Sequence, residues 1–557
     1  MPEHANIARH LPLMAAQHPD RAAVMIPRGR TAAGVIDYLV LSFAELDAEV
    51  HAWRAKLAAA GVQRGDRVLV MVRPGLPLIA AAFALFKLGA VPVIMDPGMG
   101  RKNLLACVAR SRPRVLLGIP LAQVLSHVFR SAFASVEVRV WVSGSVTARL
   151  APGSPAPALN AITVASAATD LAAILFTSGS TGAPKGVCYE HGMFEAQVQL
   201  VRETYGIEPG EVDLPMLPIF ALFGPALGMT TVVPEIDPSR PAAVDPARIV
   251  QAILQENVTN SFGSPTLWRK IFDHCLAHGI TLPTVRRVLC AGAAVPASLW
   301  TDAARVLPNG KLHSPYGATE ALPLCSISDD EIPADSVAGA CVGRPIAGIQ
   351  LKIIPLADGP QTQVAGLPAG DIGEIVVAGP VVTRSYDGLP DATAMAKISA
   401  PKFLLSGLKN PAANAGDCWH RMGDCGYLDA SGRLWFVGRK AERVMTAAGI
   451  MHTEPCEQVF RGHAGVARCA LIGLGPRGQQ EPALVVQAVK TSPVADEGRL
   501  TRELRALATR HPHTAVIRKF FFHPSFPVDV RHNAKIHRLT LAKWAATARA
   551  FEPETKA

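Results

Sequence analysis

Several features that would assign a chain to a class at first sight are scarce here. Aromatic residues make up only 6% of the 557 positions, with six tyrosines and seven tryptophans, so the core must rest mainly on Ala, Val, Leu and Ile. Charge of one sign never accumulates. The 55 basic and 45 acidic residues leave a net charge of +10, yet no basic run exceeds two residues and no aromatic–basic interleaving occurs. That distribution disfavours a nucleic-acid stripe and suits a basic enzyme that handles small anions. The ten cysteines (107, 188, 275, 290, 325, 341, 418, 425, 456, 469) form no Cys-x-x-Cys pair and no His/Cys metal spacing. They read as reduced thiols of a cytoplasmic protein, with no zinc and no redox cofactor expected. The stretch "MPEHANIARHLPLMAAQHPD" carries acids and a proline but no apolar leader segment, so no secretion signal is expected. Nor is a membrane span expected. The most apolar stretch, Leu76–Asp96, is interrupted by Pro77, Lys87, Gly89 and Pro92, whereas a span needs about twenty apolar residues in a row.

What is present is an alternation. "RVLVMV" (67–72), an apolar helix over 76–88, "VPVIM" (91–95), a helix over 100–110 and "RVLLGI" (114–119) follow one another. Apolar strands separated by helices of that length predict a parallel sheet covered on both faces. After a Pro/Ala/Gly/Ser-rich stretch at 151–169 the rhythm resumes with "LAAILFTSG", a helix over 246–256, "NSFGSP" and "VRRVLCAGAAVP". From about residue 341 short strands with turns predict a small antiparallel barrel or sheet. A segment of mixed character then ends in a basic helix over 536–550. The loop 387–418, rich in Pro, Ala, Asn and Gly, reads as an insertion or a flap. At this length more than one domain is expected.

The stretch "LFTSGSTGAPKGV" (175–187) gathers hydroxyls, glycines and one lysine. Glycines let successive amides point inward, hydroxyls add donors and Lys185 adds charge, a combination suited to a polyphosphate. It is not the Gly-x4-Gly-Lys-Ser/Thr loop, because Pro184 precedes the lysine and Gly186 follows it, and it contains no Gly-x-Ser-x-Gly nucleophile turn. Taken singly, such a loop is an ordinary connector, Asp424 a turn residue, Glu320 an acid at a helix start and Lys535 part of a solvated basic face.

The order of motifs is more specific. That loop is followed by "YGATE" (316–320), "HRMGD" (420–424), "GRKAER" (438–443) and "RHNAKIHR" (531–538), and the series resembles the ANL superfamily of adenylate-forming enzymes over nearly the whole chain. The resemblance implies an α/β fold. Its large N-terminal adenylation domain, 1–438, would hold parallel and mixed sheets with a small β-barrel-like part, and a mobile C-terminal α+β lid, 439–557, would carry a catalytic lysine. It implies ATP and Mg²⁺ as cofactors. Thr177, Ser178, Thr181 and Lys185 match the residues that hold the leaving phosphates. Tyr316 and Gly317 lie at adenine, with Ala293 also on the nucleotide, and Thr319 near the α-phosphate. Glu320 sits on the metal together with Thr177, Asp424 on the ribose hydroxyls and Arg439 beside it. Lys535 lies between the substrate carboxylate and the α-phosphate, where a fixed charge assists the chemistry. Phe220, Ala221, Phe223 and Gly292 match the acyl site.

Four positions depart from the common pattern. Ala221 replaces the histidine of Pro-x-Phe-His-x-x-Gly in "PIFALFG", and Ala441 replaces the charged hinge residue. The glycine of "AAGIMHTEPCE" is displaced by one place, and "NAKI" replaces Gly-Lys-Ile. The strings "LPMLPIFALFGPALGMTTVVPEIDPSRPA", "CWHRMGDCGYLD" and "PVDVRHNAKIHR" resemble the β-lactone synthetase branch of bacterial olefin biosynthesis. That branch activates a 2-alkyl-3-hydroxy fatty acid as its adenylate and closes it with its own 3-hydroxyl, giving a cis-β-lactone. It also implies association with the thiolase-like, hydrolase and reductase enzymes of such a pathway. The alternatives are a long-chain acyl-CoA or acyl-AMP ligase and a nucleotide-binding scaffold without catalysis. For the base that takes the hydroxyl proton, His191, Glu195 and the phosphate of departing AMP are the candidates.

Overall fold

The computed structural model describes residues 5–142, 163–177, 183–217, 221–237, 243–333, 339–399, 418–489, 497–529 and 535–552. The expected alternation appears as a sheet with the spatial order Val138–Trp141, Val115–Gly118, Arg67–Met71, Val91–Ile94, Leu171–Thr177, Lys185–Glu190. All neighbours run parallel except the last pair, which is antiparallel. Its strands are apolar on both faces, as a sheet covered on both sides requires. The helix Leu76–Leu88 is hydrophobic all round because it is buried. Gly75 precedes it, and Gly89, at φ +70°, ends it in the left-handed conformation.

A second sheet, of fourteen strands among the described residues, carries the site. Its middle strands, Thr230–Val232, Val212–Pro215, Asn260–Gly263, Arg287–Cys290 and Lys311–Ala318, are parallel. From Lys311–Ala318 onward the sheet turns antiparallel and continues through Ala321–Ser328, Ala340–Pro345, Leu434–Arg439, Cys418–Leu428, Gly373–Ala378 and Gln350–Ile354. The antiparallel strands expected after residue 341 are therefore continuous with the larger sheet. Beyond Arg439 lie a two-stranded ribbon, Val444–Thr446 with Gly449–Met451, and a three-stranded sheet, Val466–Leu474, Glu481–Ala488 and Lys519–Phe522. The alternation along those strands sends Leu471, Leu484 and Val486 into one apolar cluster and Ala470, Ile472, Ala483 and Val485 into another. Neither cluster includes a buried residue before Val444. The last helix is shorter than expected, Arg538–Ala545. The region 400–417 of the expected flap lies outside the described residues, and 390–399 forms a helix, Pro390–Ala396, and a strand, Lys397–Ser399. No helix among the described residues is long and apolar enough to cross a membrane.

The core contains one charge pair whose removal is diagnostic. Lys87, 1% exposed in the last turn of Leu76–Leu88, places its ammonium 2.5 Å from Asp47 Oδ1 on the helix Phe43–Ala59. Burying either charge alone is far costlier than burying the pair. Lys87→Met should destabilise the fold by ~3 kcal/mol, and Lys87→Met with Asp47→Leu should recover most of that loss in denaturant unfolding. Additive losses in the double variant would show that the pair is not coupled.

Candidate active site

In open parallel sheets ligands bind where the carboxyl ends of the strands open, and Thr177, Gly292, Ala293, Thr319 and Glu320 lie at or just past such ends. Gly292 and Ala293 follow the end of Arg287–Cys290, and Gly292, at φ +98°, turns the chain away from it. The "YGATE" segment is the tip of an antiparallel hairpin: Tyr316 pairs with Cys325 and Ala318 with Ala321, with a bulge between. Gly317 allows the tight return, since a Cβ there would lie 2.8 Å from the Ala321 carbonyl oxygen. Thr319 and Glu320 project at this tip. Thr177 and Lys185 face each other in register at the mouth of another hairpin, so the phosphate-loop motif joins two antiparallel strands rather than opening onto a helix. Ser178, Thr181 and Phe220 lie outside the described residues, and of Thr177 only the backbone is described.

At the far side, Asp424 and Arg439 are register partners on neighbouring strands, with Arg439 Nη1 2.8 Å from Asp424 Oδ1. The Tyr316 hydroxyl donates to Asp424 Oδ2 at 2.6 Å and so ties the hairpin to this pair. Burial, together with the negative charge of Asp424, pushes the Tyr316 phenol well above its usual range, so it remains a donor. Burial raises the Asp424 carboxyl as well, opposed by Arg439, by the Tyr316 hydrogen bond and by Lys535. Asp424 is nearly inaccessible, yet its Oδ1 accepts no hydrogen bond among the described residues despite the nearby guanidinium. An orphaned buried carboxylate oxygen calls for a donor, and a ribose hydroxyl supplies one. Gly438, at φ +139°, has Thr453 Oγ1 2.3 Å from where a Cβ would be, so only glycine lets the chain deliver Arg439 here.

Lys535 reaches the same place from the C-terminal segment, and its charge acts on Asp424. The backbone amide of Asp529 donates to the Lys535 carbonyl at 3.0 Å. Three residues on, Arg538 donates to both Glu457 oxygens, at 2.6 and 2.8 Å, and to Glu442 at 2.9 Å. This buried cluster links the segment that starts at Lys535 to the residues just after Arg439. Those residues are held in turn: Lys440 contacts Glu374 at 2.9 Å, Arg443 reaches Asp358 at 2.9 Å and Arg477 lies 3.1 Å from the same carboxylate.

Three neighbours escaped the reading of the sequence. The Tyr386 hydroxyl donates to Glu320 Oε1 at 2.9 Å, and the Lys185 ammonium lies 4.7 Å from the centre of its ring. Thr383 donates to the Glu320 carbonyl through its amide and its hydroxyl, at 2.9 and 3.0 Å. Lys397 donates to the Thr383 hydroxyl at 3.0 Å, and burial pushes its ammonium down to about 8. All three come from "TRSYDGLPDATAMAK", whose sequence carries no local signature for such roles. Of the two side chains considered as a base, neither suits. Burial works against ionisation of Glu195, but the hydrogen bonds and charges of His10 and Arg9 carry it down to about 2, and both partners occupy it, at 2.8 and 2.6 Å. Burial pushes His191 down to about 4, and its ring packs edge-on against Phe86. Ala221 is buried and Phe223 half-buried at the start of the short helix Phe223–Leu227.

This arrangement offers a positive charge at Lys185, a carboxylate at Glu320, a hydroxyl acceptor at Asp424 and a second positive charge at Lys535. A hard cation fits Glu320. Among the described residues no cluster of three His, Cys, Asp or Glu side chains exists, and Mg²⁺ characteristically needs only one or two carboxylates when phosphates complete its shell. Residues 13–387 match the family described as AMP-binding enzyme. An olefin β-lactone synthetase of Xanthomonas campestris pv. campestris is 43% identical over 98% of each chain. A protein of the same description from Stenotrophomonas maltophilia is 45% identical over 97% of this chain and 98% of its own. Among solved structures, ATP-bound MatB from Rhodopseudomonas palustris superposes with a TM-score of 0.76, at 22% identity, over 98% of this chain and 99% of its own.

If Asp424 Oδ1 awaits a ribose hydroxyl, Asp424→Asn should weaken ATP binding by calorimetry ~30-fold, the loss of one hydrogen bond to a charged group at about 2 kcal/mol. Tyr316→Phe should weaken it less than tenfold. The asparagine variant should also no longer distinguish ATP from 2′- or 3′-deoxy-ATP. Unchanged discrimination would remove Asp424 from the ribose.

Proposed function

The chain belongs to the AMP-binding enzymes, adenylate-forming ligases, and from that premise we propose that it is a β-lactone synthetase acting on a 2-alkyl-3-hydroxy long-chain acid. The observation that carries the reading is the end-to-end similarity to two olefin β-lactone synthetases. In the first step a carboxylate oxygen attacks the α-phosphorus of ATP, forming the acyl adenylate and releasing pyrophosphate. Lys535 bridges carboxylate and α-phosphate, stabilising charge as it develops. Lys185, with Thr177, Ser178 and Thr181, holds the departing phosphates. Tyr316, Gly317 and Ala293 hold adenine, Asp424 the ribose, and Thr319 lies at the α-phosphate. Glu320, with Thr177 beside it, would hold Mg²⁺, which would neutralise phosphate charge. Tyr386 and Thr383 fix Glu320 at its carboxylate and its carbonyl.

In the second step the substrate's own 3-hydroxyl oxygen attacks the acyl carbon, the C–O bond to AMP breaks, and a four-membered ring closes. With Glu195 held by His10 and Arg9 and the His191 ring buried against Phe86, we assign the hydroxyl proton to the phosphate of departing AMP. A tethered nucleophile requires only near-attack geometry and the exclusion of water. No second acceptor has to enter, so the lid (439–557, with the adenylation domain at 1–438) need not swing aside. The ion pairs holding Lys440 and Arg443 support that view. Gly292, Phe220, Ala221 and Phe223 belong to the acyl site. We place the enzyme in the cytoplasm, in loose association with the thiolase-like, hydrolase and reductase enzymes that supply its acid.

With ATP, Mg²⁺ and a 2-alkyl-3-hydroxy acid, the protein should form lactone, AMP and pyrophosphate without coenzyme A. A thioester appearing only with coenzyme A would instead assign it to the acyl-CoA ligases. Lys535→Ala should slow pyrophosphate release by roughly 10²–10³, the cost of one preorganised charge. A wild type that releases none would be a scaffold.

A further inference from the structure

The helix Pro120–Val128 is inside out. Its buried positions are Ala122, Gln123 and Ser126, whereas Leu121, Val124 and Val128 are 64%, 56% and 65% exposed. Spacings of three and four residues put those three aliphatic side chains on one face. The inward polar groups bond to the neighbouring edge strand, Val138–Trp141. Gln123 donates to the Val140 carbonyl at 3.0 Å, and the Ser126 hydroxyl accepts from Arg139 Nε at 3.3 Å. Alternation along this strand sends Val138 and Val140 to the apolar cluster on one side of the sheet. Trp141 therefore lies on the other side, where Arg139 meets the helix, and it is 51% exposed. A helix that meets only water turns its aliphatic residues inward, and a grouped outward face of this kind marks a contact surface.

Cations border that face. Arg130 is exposed just past the helix, and Arg139 is half-buried beside Ser126. Arg101, also exposed, has its guanidinium 5.9 Å from the centre of the Phe129 ring, and Lys56 donates to the Trp141 carbonyl at 3.1 Å. Between Pro120 and Val142 the sequence holds a single acid, Glu137, and Arg114 donates to it at 2.8 Å. We propose that this helix and Trp141 dock the protein on an anionic lipid surface, with the aliphatic face in the headgroup boundary and the four cations at the lipid phosphates. A helix lying in the plane of a membrane surface uses such a face with a basic border. Each cation near an anionic leaflet tightens binding about fivefold. An added protein strand fits this edge less well, because the Val140 and Trp141 carbonyls already accept from Gln123 and Lys56. Gly118 and Trp141 are register partners at the carboxyl ends of parallel strands. They share that edge of the sheet with Thr177, which lies three strand spacings, about 14 Å, from Val115–Gly118. The inference goes beyond the β-lactone reading and stands without it. A long-chain acid of that class dissolves in lipid, so docking would bring the enzyme to its substrate.

Co-sedimentation of the full chain with vesicles of equimolar phosphatidylglycerol and phosphatidylcholine tests the proposal. The wild type should bind them and be released as salt rises. Val124→Glu combined with Val128→Glu should abolish binding, and Arg101→Gln and Arg130→Gln should each weaken it about fivefold. Leu121→Glu takes the place of the double variant should that fail to fold. None of these residues belongs to the nucleotide site, so ATP binding by calorimetry should match the wild type in every variant. A wild type that stays in the supernatant, glutamate variants that bind as before, or equal binding to pure phosphatidylcholine would each overturn the proposal. A wild-type dimer that the glutamates split, with no vesicle bound, would overturn it too and assign the face to a second copy of this chain. Each of those results leaves the β-lactone reading intact, and failure to form lactone leaves the docking result intact.

Discussion

The site depends on a buried ion pair between two adjacent strands. Asp424 and Arg439 face each other in register, and Arg439 is the last residue of its strand. The attraction of Asp424 raises the guanidinium above its usual range, while burial alone would expel both charges. The pair persists because Tyr316 supplies a donor to one carboxylate oxygen and leaves the other for a ligand. Three segments distant in sequence are thereby held at one point: the hairpin tip, the strand with the carboxylate and the start of the C-terminal segment.

From that point, restraint spreads in both directions. Toward the phosphates, Tyr386 and Thr383 hold Glu320 while the Tyr386 ring lies beside Lys185. Toward the C-terminus, Glu374 receives both Arg421 and Lys440, and Asp358 receives Arg443 and Arg477. Glu442 and Glu457 then hold Arg538, three residues from Lys535. The lysine is thus set by a chain of charge contacts that begins at Asp424. An enzyme whose nucleophile arrives already attached to its electrophile gains from such restraint, because geometry and dryness are what the ring closure requires.

Much of this was legible in the sequence, for reasons that can be named. The strands at 67–71, 91–94 and 115–118 announce themselves because a doubly covered sheet demands unbroken apolar runs. The helix Leu76–Leu88 does so because Gly75 and Gly89 bracket it. Asp424, Glu320 and Lys185 were found as members of an ordered series of motifs. Tyr386, Thr383 and Lys397 were not, since their partners lie across the fold: Tyr386 and Glu320 are 66 residues apart. The C-terminal helix was drawn too long because basic and apolar residues keep a helical spacing past Ala545, where the described helix ends. That the short antiparallel strands extend the main sheet is a matter of pairing, which periodicity cannot reveal.

The central claim is that the carboxyl group, not the hydroxyl, is joined to the nucleotide before the ring closes. Substrate labelled with ¹⁸O in both carboxylate oxygens, converted in unlabelled water, tests it by mass spectrometry of both products. The account predicts one labelled oxygen in AMP and one in the lactone carbonyl, with an unlabelled ring oxygen. Lactone that retains both labels beside unlabelled AMP would contradict it.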